Sequence, residues 1–222
     1  MKHNIHPCLW FNGNAKEAAA FYCSLFPIAK ITVDTPMVVN FEINGEKLMG
    51  LNGGPMFQLN PSISFSVLCE TDDEINTLFE KLSAEGKILM PLDKYEWSER
   101  HAFLQDRYGT AWQLIKGKYS DVNQKLTPCL LFVNKSYGRA EAAMNFYTQL
   151  FPGSSVEAIL LYSPEEQPMT GAVKHAQFCL DGKVLMVMDG YGEHTFTFNE
   201  AFSFVVECET QDEIDFYWNR LT

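Results

Sequence analysis

The sequence predicts an α+β protein of two tandem domains, each assembled from β-α-β-β-β units, with the second domain short of its last three strands. Three observations lead there. A strand-loop-helix stretch, Pro7-Cys8-Leu9-Trp10-Phe11 followed by Glu17–Pro27, returns as Pro128-Cys129-Leu130-Leu131-Phe132 followed by Glu141–Pro152. What lies downstream returns with it: Gly45-Glu46-Lys47-Leu48-Met49 as Gly182-Lys183-Val184-Leu185-Met186, and Ser64-Phe65-Ser66-Val67 as Ser203-Phe204-Val205-Val206. Aligned cysteines, caps and prolines over so long a stretch mark a duplication. Inside each copy, short strand-like runs alternate with single amphipathic helices.

The elements follow in order. Ile5–Phe11 reads as a strand broken by Asn12-Gly13-Asn14. Asn14 is a good N-cap with Glu17 placed to answer it, Ala18, Phe21, Tyr22 and Leu25 recur at helical spacing, and Pro27 stops the helix. Lys30–Val33 and Met37–Ile43 read as strands; Asn44-Gly45 is a hairpin turn, and Lys47–Leu51 completes it. A second pass begins at Ser62–Cys69. Thr71-Asp72-Asp73-Glu74 is a capping box, Ile75, Leu78, Phe79 and Leu82 form the buried stripe, and the helix stops near Gly86. Lys87–Pro91, His101–Gln105 and Thr110–Ile115 then read as three strands. Two units make a first domain over residues 1–118, and the polar stretch Gly117–Gln124 is its linker. The second domain, residues 125–222, carries a longer insert at Tyr162–Val173 and has no counterparts of residues 84–116, which leaves a sheet edge to be covered.

The totals narrow the function classes. The chain of 222 residues is 46% hydrophobic and 14% aromatic, as a folded protein with buried cores is. A formal charge of −11 argues against nucleic acid or an anionic membrane as partner, since both select clustered Lys and Arg. No run of about 18 apolar residues suggests a membrane-spanning helix, and the start lacks the features of a signal peptide. The six cysteines show no C-x-x-C spacing, and most fall in apolar strands, which suits reduced, buried thiols in the cytoplasm.

Pro7–Pro27, with its Leu-Trp-Phe, Glu-Ala, Phe-Tyr and Leu-Phe-Pro elements, resembles the PhnB-like branch of the vicinal oxygen chelate (glyoxalase/bleomycin-resistance) superfamily. Leu48-Met49-Gly50-Leu51-Asn52-Gly53-Gly54-Pro55, Ser64-Phe65 and Gln105–Gln113 fit the same branch. Members often carry the label "3-demethylubiquinone-9 3-methyltransferase domain". The resemblance implies paired β-α-β-β-β units whose curved mixed sheets enclose a cavity, and frequently a homodimer. The methyltransferase label itself finds no support in the residues. A methyl-donor nucleotide site needs a glycine-rich strand-to-helix turn, whereas Gly50–Gly54 runs into Pro55.

Enzymes of the superfamily hold a divalent metal at the starts of the first and fifth strands and within the fourth and eighth. The resemblance carries these positions to His6, Asn52, Ser62 or Ser64, and Gln113. Only His6 is a strong ligand, so no metal or other cofactor is expected. Trp10, Phe65, Phe103 and Trp112 are candidates to line a cavity and stack a flat ligand. Trp97, Glu99, Arg100 and His101 read as a loop at its mouth. His175 and Asp189 are the remaining acid-base or metal pair. Cys8, repeated as Cys129, would need an adjacent base to act as a nucleophile and reads as packing. The expectation is a cytoplasmic, homodimeric protein that binds a small molecule in an aromatic-lined cavity. The competing readings are a metal-dependent lyase, isomerase or dioxygenase, and a module that serves assembly.

Overall fold

The computed structural model describes residues 5–222. The first unit is β1 (Ile5–Phe11), α1 (Ala15–Leu25), β2 (Ala29–Asp34), β3 (Val38–Ile43) and β4 (Glu46–Asn52). The second is β5 (Ile63–Cys69), α2 (Asp72–Ser83), β6 (Lys87–Tyr95), β7 (Ser98–Gln105) and β8 (Ala111–Lys116). The third is β9 (Leu126–Val133), α3 (Ala140–Leu150), β10 (Ser155–Leu161), β11 (Val173–Leu180) and β12 (Lys183–Gly190), and a fourth contributes β13 (Phe202–Val206) and α4 (Gln211–Leu221).

Local signals explain most boundaries. Asn44 and Gly45 both take positive φ, 50° and 83°, as the two-residue turn between β3 and β4 requires. Thr71 caps α2 by accepting from the Glu74 amide at 3.1 Å, and Thr210 caps α4 in the same way from Glu213 at 3.3 Å. The Asn14 box does not form. Instead Asn52, at the end of β4, reaches across to accept from the Ala15 amide at 3.0 Å, so α1 is capped from the sheet. The stretch expected to be a loop around Trp97 is the end of a hairpin: β6 runs on to Tyr95 and β7 begins at Ser98, with three register shifts between them.

The strands form two sheets, a five-stranded one in the order β13-β1-β4-β3-β2 and an eight-stranded one in the order β10-β11-β12-β9-β5-β8-β7-β6. Pairing therefore crosses the boundary drawn at residues 118–125. β1 pairs antiparallel with β13, from Ile5 opposite Val206 to Leu9 opposite Phe202. β5 pairs antiparallel with β9, from Ile63 opposite Leu130 to Val67 opposite Leu126. The first unit is completed by the fourth and the second by the third. No strand of the first unit pairs with a strand of the second among the described residues.

The first two units meet through side chains. The Tyr22 ring packs on Phe41 (6.1 Å) and Trp112 (5.2 Å), Trp112 on Phe65 (5.4 Å), and Phe65 on Phe202 (5.5 Å), joining both sheets in one core. A second core lies under α3, around Phe132, Met144, Phe178 and Val187. At roughly 1.5–3 kcal/mol for each large apolar side chain removed from water, these clusters are the main stabilising term.

Candidate functional site

Each sheet has one face toward the helices and cores and one face away from them. On the eight-stranded sheet, Phe65, Val67, Leu104, Trp112 and Leu114 point to the core, so their alternate neighbours point the other way. Registers then place Ser66 beside Gln113, Phe103 beside Gln113, His101 beside Ile115, Ser64 beside Cys129, Cys129 beside Met186 and Met186 beside Gln177. His175 lies two residues before Gln177 on β11 and shares this helix-free face. At its centre the Gln113 amide donates to Ser64 Oγ at 2.9 Å. The Cys129 thiol lies within reach of Gln113, and burial pushes its pKa up to about 12.

The flanks carry the histidines. His101 is only 4% exposed, and burial pulls its imidazole down to about 4, so it is neutral at physiological pH. Its Nδ1 has no hydrogen-bond partner among the described residues. The ring stands edge-on to Tyr95 (5.7 Å) and Trp97 (6.0 Å), which stack on each other at 5.1 Å, and Trp97 remains 64% exposed at the hairpin end. On the opposite flank burial also lowers the pKa of His175, and Gln177 beside it donates to Glu157 at 2.6 Å.

The structure brings His101, Phe103, Gln113 and His175 onto this one face, keeps Trp97 at its rim against His101, and separates the rest. Phe65 and Trp112 are core residues on its reverse; Trp112 Nε1 donates to the buried Asp106 at 2.8 Å. His6 sits on β1 in the other sheet, 3.9 Å from Glu207 Oε1. Asn52 caps α1 and donates to the Pro36 carbonyl at 2.8 Å. The expected metal positions are thus split between two sheets. What stands on the helix-free face of the eight-stranded sheet does not suit a divalent cation either: a serine already bonded to an amide, and a thiol held protonated. Among the described residues no three His, Cys, Asp or Glu gather as a metal site.

His175 and Asp189 do not form a pair. Asp189 is buried on the opposite face of β12 and accepts from the amides of Gly138 (2.8 Å), Ala140 (3.3 Å) and Val173 (2.9 Å). It is the counterpart of Asn52, capping α3 from the sheet. Trp10 packs at the margin of the first core, away from this site; its Nε1 donates to the Gly54 carbonyl at 2.7 Å, and its ring meets Phe57 edge-on at 5.3 Å. Ser66, Thr127, Met186 and Gln177 join the face without having been singled out. The period-two alternation of their strands was the available signal, but it locates them together only once β5 is known to pair with β9.

Paired β-α-β-β-β units that share two mixed sheets are the architecture of the vicinal oxygen chelate class. The chain belongs to the family described as 3-demethylubiquinone-9 3-methyltransferase, which matches residues 3–115 and 124–222. It is a PhnB-like member of that superfamily. A PhnB protein from Bacillus cereus is 36% identical over 50% of this chain and 98% of its own, with a TM-score of 0.48. A protein from Staphylococcus aureus is 30% identical over 52% of this chain and 97% of its own, with a TM-score of 0.25. Glyoxalase I from Zea mays, at 18% identity over 85% of this chain and 67% of its own, has a TM-score of 0.59 and shares the fold. No curated protein matches the chain. No described helix is long and apolar enough to cross a membrane.

Proposed function

We propose that the protein binds a small, uncharged polar molecule on the helix-free face of the eight-stranded sheet. The observation that carries this is the buried His101 Nδ1, left without a hydrogen-bond partner on a face shared with Gln113, Ser64 and His175. A buried polar atom without a partner costs about 1–3 kcal/mol, which a ligand hydrogen bond recovers. The same chemistry favours binding over turnover. An imidazole with a pKa of about 4 is a weak base at neutral pH, and a thiol near 12 is not a nucleophile.

Methyl transfer finds no support in the glycines. A Cβ on Gly53 would sit 2.2 Å from the Trp10 ring, and one on Gly50 would lie 3.2 Å from Ala15, so packing accounts for both. The reading includes a cytoplasmic setting, suited by six free cysteines. It also includes a homodimer, suited by the exposed edge strand β10 with Val156, Ile159, Leu160 and Leu161.

Amide and side-chain shift mapping against a library of small uncharged fragments tests the site. Perturbations centred on His101, Gln113 and His175, weakened by His101→Phe, are the expected result. Shifts confined to other surfaces would overturn it.

A further inference from the structure

The fourth unit repeats the start of the second, and the two differ in how much of the same apolar stripe is covered. Thr71 and Thr210 cap their helices alike, which aligns β13 and α4 with β5 and α2 residue for residue. In the second unit Phe65, Val67, Ile75, Leu78 and Leu82 are at most 2% exposed. Their counterparts Phe204 and Val206 are only half-buried, and Ile214 and Leu221 are each 47% exposed. Trp218 stands where half-buried Phe79 does and is 67% exposed. Of the helix residues only Tyr217 is buried, stacked on Phe151 at 4.9 Å.

The cover is β8. It lies parallel to β5, with Trp112 beside Phe65, Leu114 beside Val67 and Lys116 beside Cys69. Trp112 fills the space between Phe65, at 5.4 Å, and Tyr22, at 5.2 Å, and α2 packs on β8 and β7. β13 pairs with β1 along one edge, and no strand lies along its other edge among the described residues. An open edge beside an apolar helix face takes an added strand readily. We propose that β13 and α4 form a docking surface for a partner polypeptide. The partner adds a strand parallel to β13 and sets an aromatic, a leucine and a basic side chain, at alternate positions, against Phe204, Val206 and the start of α4.

Charge decides between partners. On α2, Lys116 reaches Asp72 at 2.7 Å, and Arg100 reaches Asp72 at 3.6 Å and the Asn76 side chain at 2.7 Å. On α4, Gln211 stands in the place of Asp72 and Asp215 in the place of Asn76. Asp215, Asp212, Glu213 and Glu209 have no Lys or Arg partner among the described residues. Asp181 adds a carboxylate close to Tyr217. The one cation of α4, Arg220, lies over the Phe216 ring at 4.9 Å. The surface is therefore acidic around its apolar stripe. A second copy docking by the same face would set these acids against their own images, whereas a basic strand meets them with opposite charge.

The probe is a fluorescein-labelled peptide of residues 98–118, which carries Trp112, Leu114, Lys116 and Arg100. Its anisotropy on titration with the intact chain should report binding, and hydrogen exchange in the complex should slow at the amides of residues 203–208. Trp218→Asp weakens binding by about tenfold. Asp215→Lys weakens it by about threefold, the scale of an exposed charge, and a peptide with Arg100→Glu and Lys116→Glu is weakened by at least as much. Trp218 and Asp215 are both exposed, so the variants keep the core, and far-ultraviolet circular dichroism verifies it. No binding at about 100 μM chain, indifference to Trp218→Asp, or slowed exchange confined to other strands would overturn the proposal. So would a dimer in sedimentation that Trp218→Asp dissolves, which would give the surface to a second copy of the chain.

Discussion

Two buried groups should pull the acid stability of this protein in opposite directions. His101 is held down to about 4 from the usual 6.5, so on acidification the unfolded chain takes the proton first. Its contribution to stability is complete above pH 6.5 and is lost as pH falls through 4. Asp106 is pushed up to about 6 from 3.8, chiefly by burial, against the opposing hydrogen bonds from Trp112 and the turn amides. The folded state holds that proton more tightly, so this contribution is complete below pH 3.8 and is lost as pH rises through 6. At 1.36 kcal/mol per pH unit, each is worth about 3 kcal/mol, with opposite sign over nearly the same window. Their sum is close to flat in the native protein. Urea unfolding at intervals from pH 4 to pH 7 exposes the cancellation. Relative to the native protein, His101→Gln becomes less stable by about 3 kcal/mol more at pH 7 than at pH 4. Asp106→Asn, destabilised throughout because its carboxylate accepts from three donors, shows a deficit that shrinks by about 3 kcal/mol over the same rise. Curves for native protein and His101→Gln that run parallel across the range would refute the argument that burial keeps this histidine neutral.

Three further expectations follow from particular contacts. Gly53→Ala places a Cβ inside the Trp10 ring and should cost about 3 kcal/mol, read as a fall in Tm of roughly 10 °C by calorimetry. Asp189→Ala removes an acceptor from three backbone amides, whereas Asn52→Ala frees one at the matching position. Chemical denaturation should show losses of about 3 and about 1 kcal/mol respectively. Cys69 and Cys129, both with pKa values near 12, should stay unmodified by iodoacetamide at pH 8 in the native protein and react fully in urea, as peptide mass mapping will read out.

How much of this was legible in the residues varies by level. The repeat, the Asn44-Gly45 turn and the Thr71 cap are short-range signals, and each stands within a residue or two of its expected place. Asn14 and Glu17 spell a capping box equally well, yet α1 is capped by Asn52, because the end of β4 lies against its first turn. Sequence proximity could not see that competitor. The larger difference concerns strand partners. Four units carry the same alternation, so a strand such as β5 fits beside β1 or beside β9 equally well by pattern. Packing of Tyr22 on Trp112 brings the helix sides of the first two units together and leaves their strand edges to the other half. That choice decides the site. It parts His6 from Gln113 and seats Gln113 beside Cys129.

The crossed pairing also fixes an order of assembly. β1 leaves the ribosome first of the described strands, but its antiparallel neighbour is β13, so the edge from Ile5 to Leu9 stays unpaired until Phe202–Val206 has been made. β5 waits likewise for β9. Neither half finishes a sheet alone. Contacts so distant along the chain form slowly, and cutting the linker near residue 120 should yield two fragments that fold by finding each other, not two domains.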